Sequence, residues 1–213
     1  FGDDAALMYF THDALEQSTR QRVAAHRAHR IAETGAGGVV DLGCGIRGDL
    51  VALARAGLHV RGVELDPVRA AIAAANLRAL GLAGEVVTAD VRSVEIGADE
   101  VAFVDPARRD GRGRTFSTAD LQPPWDWVRQ LLEGRAVAKV MSGLAHDAVP
   151  HGVEAEWVSD GGNLVEACLW GAPFATATRR ATVLPSGAGL VAVGEPVALG
   201  QPGSYIYEPD DAV

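Results

Sequence analysis

Four short runs rich in β-branched residues recur between residues 39 and 104, and each delivers an acid at or near its end. Val39–Leu42, His59–Leu65, Glu85–Ala89 and Val101–Val104 read as strands, and Ala/Leu-rich stretches at Asp49–Ala56 and Pro67–Leu80 read as helices between the first three. Such alternation calls for a mainly parallel sheet wrapped by helices, because parallel neighbours need a crossover between them. A helix at Trp125–Leu132, behind Pro123 and Pro124, leads to a fifth strand at about Arg135–Met141. From Glu154 to Trp170 two strand-like runs flank Asp160, Gly161 and Gly162, which predicts an antiparallel hairpin. Arg179–Leu184 is a further extended piece, and the Gly/Pro-rich tail from Pro185 has no helical period. Ahead of the sheet, Asp3 to Glu33 has helical spacing broken near Ser18 and Thr19, which can cap a second helix through Arg30. The expected fold class is α/β, a Rossmann-like and mostly parallel sheet with a C-terminal antiparallel hairpin. The expected division is a helical lead-in at 1–34, a core at 35–185 and an extended segment at 186–213.

Composition narrows the function classes. The 213 residues are 48% hydrophobic and 22% charged, the balance of a globular chain with one sizeable core. Phe1–Phe10 lacks the basic and apolar regions of a secretory signal, and no apolar run reaches membrane-spanning length, so a cytoplasmic protein without a membrane partner is expected. The chain starts without Met and stops at Asp210–Val213 just after an extended stretch, as a piece of a longer protein would. Cys44 and Cys168 have no metal-ligand spacing, and His26 and His29 read as surface histidines, so no bound metal is expected. A net charge of −9 argues against nucleic acid gripped over the whole surface but leaves room for a local basic patch. Oligomeric state is not legible.

The chemistry concentrates at the strand ends. In DLGCGIRGD, Asp41–Asp49, a strand runs into Gly43, Cys44 and Gly45 and then into a helix start, so the backbone can approach a nucleotide closely. The glycines alone would also fit a dinucleotide fold. Asp41 discriminates, since an acid there repels a pyrophosphate but suits the ammonium of S-adenosylmethionine. In VELDP, Val63–Pro67, Glu64 can accept both ribose hydroxyls, with Leu65 beside it, while Asp66 before Pro67 reads as a helix N-cap. Asp90, followed by Val91, can accept the adenine amine. Asp41, Glu64 and Asp90 thus gather at the carboxyl edge of three successive strands, where open α/β sheets bind ligands. The fourth strand brings Asp105 and Pro106 to the same edge, and these are the expected catalytic residues: Asp105 to orient an amine, Pro106 to stiffen the turn. Arg108, Arg109, Arg112 and Arg114 follow, a cationic loop suited to an anionic substrate.

Together these motifs resemble the class I S-adenosylmethionine-dependent methyltransferases, and more closely the bacterial group that carries a THUMP-like domain. DLGCGIRGD is similar to that group's cofactor loop, VELDP to its ribose strand, VDPARR to its catalytic loop, and YIYEPDDAV, Tyr205–Val213, to the link into a THUMP-like domain absent from this chain. The resemblance implies a methyltransferase that modifies RNA, with Arg108, Arg109 and Arg112 on the substrate side. STRQRVAAHRA, Ser18–Ala28, also resembles a segment of trimethylguanosine synthase-like methyltransferases and implies a place for Thr19 over the cofactor. VDPAR is similar to the (D/N)PP(Y/F) motif of amino-methylating enzymes, with Ala107 and Arg108 replacing its last two residues. Uracil-C5 enzymes with similar loops need a cysteine nucleophile, whereas Cys168 reads as core. The expected function is N-methylation of an RNA base. A small-molecule methyltransferase, an NAD-dependent oxidoreductase and a catalytically silent S-adenosylmethionine-binding module are the alternatives.

Overall fold

The structure, a computed structural model of the chain, describes residues 2–11, 19–46, 48–108, 121–194, 200–201, 203–205 and 207–213. Its strands in chain order are β1 (Gly38–Leu42), β2 (His59–Glu64), β3 (Glu85–Thr88), β4 (Glu100–Val104), β5 (Ala107–Arg108), β6 (Leu121–Gln122), β7 (Ala136–Val140), β8 (Glu154–Asp160), β9 (Leu164–Trp170), β10 (Arg179–Leu184) and β11 (Ala188–Ala192). The α-helices are α1 (Gln21–Glu33), α2 (Gly48–Arg55), α3 (Pro67–Ala79) and α4 (Trp125–Leu131). Among the described residues nine strands form one sheet in the order β11-β10-β8-β9-β7-β4-β1-β2-β3, and β5 pairs with β6 in a separate small ribbon. β3, β2, β1, β4 and β7 run parallel. β9 is antiparallel to both β7 and β8, which is the expected hairpin inserted beside the fifth parallel strand.

Period-two alternation sends each strand's side chains to opposite faces, and both faces are covered. Val39, Val60, Val101, Phe103 and Val137 pack with Ile31 of α1, Leu50 and Leu53 of α2 and Leu77 of α3. Val40, Leu42, Val63, Ala102 and Val104 pack on the other face with Val128 of α4 and with Leu132. β1 is buried along its whole length, as a central parallel strand must be. Asp66 caps α3 as expected, its Oδ1 accepting from the Val68 and Arg69 amides at 2.8 and 3.1 Å.

α1 is fastened to the sheet largely by charge. β8 is buried at every residue although it carries Glu154, Glu156 and Asp160. Arg30 reaches both Glu154 and Glu156, His26 reaches Glu156 at 2.8 Å, and Arg22 and Arg20 reach Asp160 at 3.0 and 3.3 Å. His26 is therefore no surface histidine; His29 is, pairing with Glu33 at 3.2 Å. Burial opposes ionisation of Glu156, but the His26 hydrogen bond and the Arg30 charge outweigh it and bring the carboxyl down to about 2.

One sequence expectation changes. Thr19 does not cap α1: Arg20 holds the cap position with no side-chain cap bond, because the Thr19 hydroxyl is engaged elsewhere. Ser18 lies outside the described residues, and of the expected first helix the structure describes a short 3-10 turn at Gly2–Ala6. After Pro185 the chain continues in extended form, with β11 antiparallel to β10, which itself runs parallel to β8.

Candidate active site at the carboxyl edge of the sheet

The turn after β1 is pinned by its own backbone. Gly43 and Cys44 both donate to the Val63 carbonyl, at 2.8 and 3.0 Å, so the loop folds back over the end of β2. Gly43 and Gly45 take φ of +84° and +53°, left-handed values that a side chain would strain. Glu64 then ties two loops together: Oε2 accepts from the Gly45 amide and Oε1 from the Asp66 amide, both at 2.9 Å. Each carboxylate oxygen has a second lone pair, so the pattern leaves Glu64 able to accept from a diol.

Asp90 follows β3 as expected but has a neighbour the sequence reading did not assign. Its carboxylate accepts from the Arg92 guanidinium at 2.6 and 3.1 Å and from the Arg92 amide at 2.9 Å. These bonds hold the Asp90 carboxyl down to about 2, so it stays ionised. Asp105, after β4, pairs through Oδ2 with Lys139 Nζ at 2.8 Å. The same ammonium donates to Thr19 Oγ1 at 3.0 Å, and Thr19 in turn donates to Asp49 at 2.9 Å.

Beneath this chain of bonds Arg27, 2% exposed, lies between Asp49 and Glu166 and over the Phe103 ring, 4.9 Å from its centre. Burial opposes the Arg27 charge, but the two carboxylates overcome it. Burial likewise opposes ionisation of Asp49, which Arg27 and Lys139 hold below its ordinary value. For Glu166 burial wins, and its carboxyl ends above the ordinary range. Asp49 differs in also accepting from Thr19, and its charge in turn opposes ionisation of Glu166.

Two cavities meet at Asp105. The first, about 250 Å³, is lined by Gly43, Gly45, Glu64, Leu65, Asp90, Val91 and Asp105, all singled out by the sequence, together with Ile46, Arg69, Arg92 and Gln122, which were not. The second, about 210 Å³, is lined by Asp105, Pro106, Leu121, Trp125, Leu144 and Val165, with Lys139 and Glu166 as its other charged residues. Asp41 and Cys44 lie behind the first cavity, 2% and 1% exposed, with Cys44 Sγ packed where a side chain on Gly62 would stand. Thr19 lines neither cavity and reaches Asp105 only through Lys139. Arg109, Arg112 and Arg114 lie outside the described residues, as does the Arg108 side chain. Cys168 is buried, and burial pushes its thiol out of the nucleophilic range, as the core reading expected. Among the described residues no cluster of His, Cys, Asp and Glu could hold a metal, and no helix is long and apolar enough to cross a membrane.

No family model matches the chain. It is 39% identical over 213 aligned residues to an uncharacterized S-adenosylmethionine-dependent methyltransferase of Mycobacterium tuberculosis, covering 96% of this chain and 58% of the relative. The chain thus spans little more than half the length of that relative. A shorter match, 29% identical over 53% of this chain and 35% of the relative, is to ribosomal RNA small subunit methyltransferase C of Alcanivorax borkumensis. Among solved structures, a protein assigned as a methyltransferase from Porphyromonas gingivalis W83 superposes with a TM-score of 0.65 at 22% identity, over 79% of this chain and 44% of that one. One assigned as a class I S-adenosylmethionine-dependent methyltransferase from Listeria monocytogenes gives 0.57 at 11% identity, over 84% and 70%. The strand order, with its antiparallel β9 set beside the parallel β7, and these superpositions agree: the chain has the Rossmann-like fold of the class I methyltransferases.

Proposed function

We propose that the chain binds S-adenosylmethionine in the first cavity and transfers its methyl group to a nitrogen of an RNA base held beyond Asp105. The observation that carries this reading is the position of Asp105, shared by two cavities, one walled by nucleoside-type acceptors and the other largely apolar. The residues present fit the cofactor. Glu64 offers acceptors to a ribose diol, Asp90 an ionised acceptor to an amine, and the Gly43–Gly45 turn a close backbone approach, with the Asp41 charge behind it for an ammonium. A pyrophosphate at that turn would meet the Glu64 carboxylate, with Asp41 buried behind it, instead of a cationic cradle, which disfavours the nicotinamide alternative.

S-adenosylmethionine supplies a methyl carbon made electrophilic by a sulfonium. Against it, Asp105 accepts from the acceptor's amine hydrogens and holds the nitrogen in line, while Lys139 fixes the Asp105 carboxylate. The nitrogen so held would take the methyl group from S-adenosylmethionine, with the neutral thioether as leaving group and the amine proton passing to water. Little acid-base power is required, so placement is the protein's main contribution. An RNA acceptor is supported by the ribosomal RNA methyltransferase among the relatives and by the arginine-rich stretch Arg108–Arg114 next to Asp105 in sequence. The THUMP-like group, in a cytoplasmic setting, remains the family we favour.

Calorimetric titration with S-adenosylmethionine and NADH, followed by tritiated methyl transfer into total RNA from a strain deleted for the gene, tests the reading. Binding of S-adenosylmethionine and label at one nucleoside are expected. NADH binding in its place would select the oxidoreductase, and cofactor binding without transfer to RNA would remove the RNA assignment.

A further inference from the structure

The second cavity carries more information than its place beside Asp105. Lys139 is the only lysine among the chain's 19 Lys and Arg residues, and it stands near the end of β7 inside the cavity wall. Glu166 is the single acid of β9, and its side chain is 4% exposed. β7 and β9 are antiparallel with Lys139 opposite Cys168, so Glu166, two residues from Cys168, shares the face of Lys139 as its diagonal neighbour. Diagonal neighbours in such a pair stand roughly 7–8 Å apart, close enough for two long side chains to address one ring.

Both groups retain hydrogen-bonding capacity. The Lys139 ammonium has three donors, and Asp105 and Thr19 take two of them. On Glu166, Arg27 and Cys168 both engage Oε1, and among the described residues no hydrogen bond reaches Oε2. One donor and one acceptor are thus left on the same sheet face, in a cavity whose other walls include Trp125, Pro106, Leu121 and Val165. Apolar and aromatic walls with a few polar groups at one side are how proteins hold a base removed from its stack. At about 210 Å³ the space suits one ring system rather than a stretch of chain.

Resting on the methyltransferase reading, we propose that the second cavity admits a single nucleobase and that Lys139 and Glu166 determine which one, Lys139 donating to its edge and Glu166 accepting from it. Asp105 orients the reacting nitrogen, and these two residues select the ring that bears it.

The test is a nuclear magnetic resonance titration of the protein, first saturated with S-adenosylhomocysteine, with adenosine, guanosine, cytidine and uridine in turn. The indole resonance of Trp125, assigned with Trp125→Phe, is the readout. One nucleoside is expected to shift that resonance at lower concentration than the other three. Glu166→Gln keeps a carbonyl oxygen for Arg27, and Lys139→Met keeps the chain length. Each should weaken the preferred nucleoside at least tenfold or change the order of preference, with S-adenosylhomocysteine affinity unchanged. A purely structural role would lower the melting temperature and leave the order of nucleosides as it was. The proposal is overturned if no nucleoside moves Trp125, or if both variants bind the four in the wild-type order and strength. Failure of S-adenosylhomocysteine to bind would instead overturn the methyltransferase reading, and the nucleoside titration without it still decides the second cavity.

Discussion

Asp105 and Glu64 are both carboxylates at strand ends, yet their surroundings assign them opposite tasks. Glu64 is 8% exposed and bonded to the backbone amides of Gly45 and Asp66, whereas Asp105 bridges the two cavities and faces Lys139. Asp105→Ala should therefore lower the methyl-transfer rate at least about a hundredfold, the scale lost when a reacting group is misplaced, while calorimetry shows near-normal S-adenosylmethionine affinity. Glu64→Ala should do the reverse and weaken the cofactor roughly a hundredfold, since it removes charge-assisted bonds to a diol and loosens the Gly45 turn. A large loss of cofactor affinity in the Asp105 variant would show that the two roles are wrongly divided. The Asp90–Arg92 pair belongs to the same scale: it keeps an acceptor ionised at the cavity wall at any pH above about 2.

At the scale of elements, α1 and the β8–β9 hairpin stand or fall together through buried charge. Glu156 is 1% exposed and accepts from His26, Arg30, Trp170 and Thr182. Its carboxyl is depressed in the folded state, from 4.5 to about 2. Its contribution is therefore fully present above pH about 4.5 and lost as pH falls through about 2, amounting to an upper bound of about 3 kcal/mol. Glu156→Gln should lower Tm at neutral pH by roughly 6–12 °C, with the gap from wild type closing in acid. Thermal melts across pH read this directly, and a gap that does not change with pH would contradict it.

These elements also show where sequence reasoning stops. The strand ends and their acids were legible because a parallel strand, its turn and its acid are contiguous: Glu64 and Asp66, for example, declare a strand end and a helix cap within three residues. The acids of β8 were not, since Glu156 is neutralised by residues of α1 about 126 to 130 positions away, and local pattern places a strand without saying what will pair with its charges. Lys139 and Glu166 escaped for the same reason, because β7 and β9 meet only through the antiparallel insertion. The traces they left were a lone lysine and an acid within an apolar run. Thr19 was misread as a cap because a hydroxyl before a helix has two uses, and only the fold shows that Asp49 and Lys139 claim it.

Over the whole molecule, the sheet divides its labour. β2 to β4 bring Glu64, Asp90 and Asp105 to the first cavity from local turns, while β7 and β9, tied to α1 through Arg27, bring Lys139 and Glu166 to the second. Asp105 is where the halves join, and methyl transfer across that junction is the central claim. A crystal structure with S-adenosylhomocysteine tests it most directly. The adenine amine should lie at Asp90, the ribose hydroxyls on Glu64 and the sulfur towards Asp105, with the second cavity open beyond it. A ligand seated with its sulfur away from Asp105, or outside the Gly43–Gly45 turn, would contradict it.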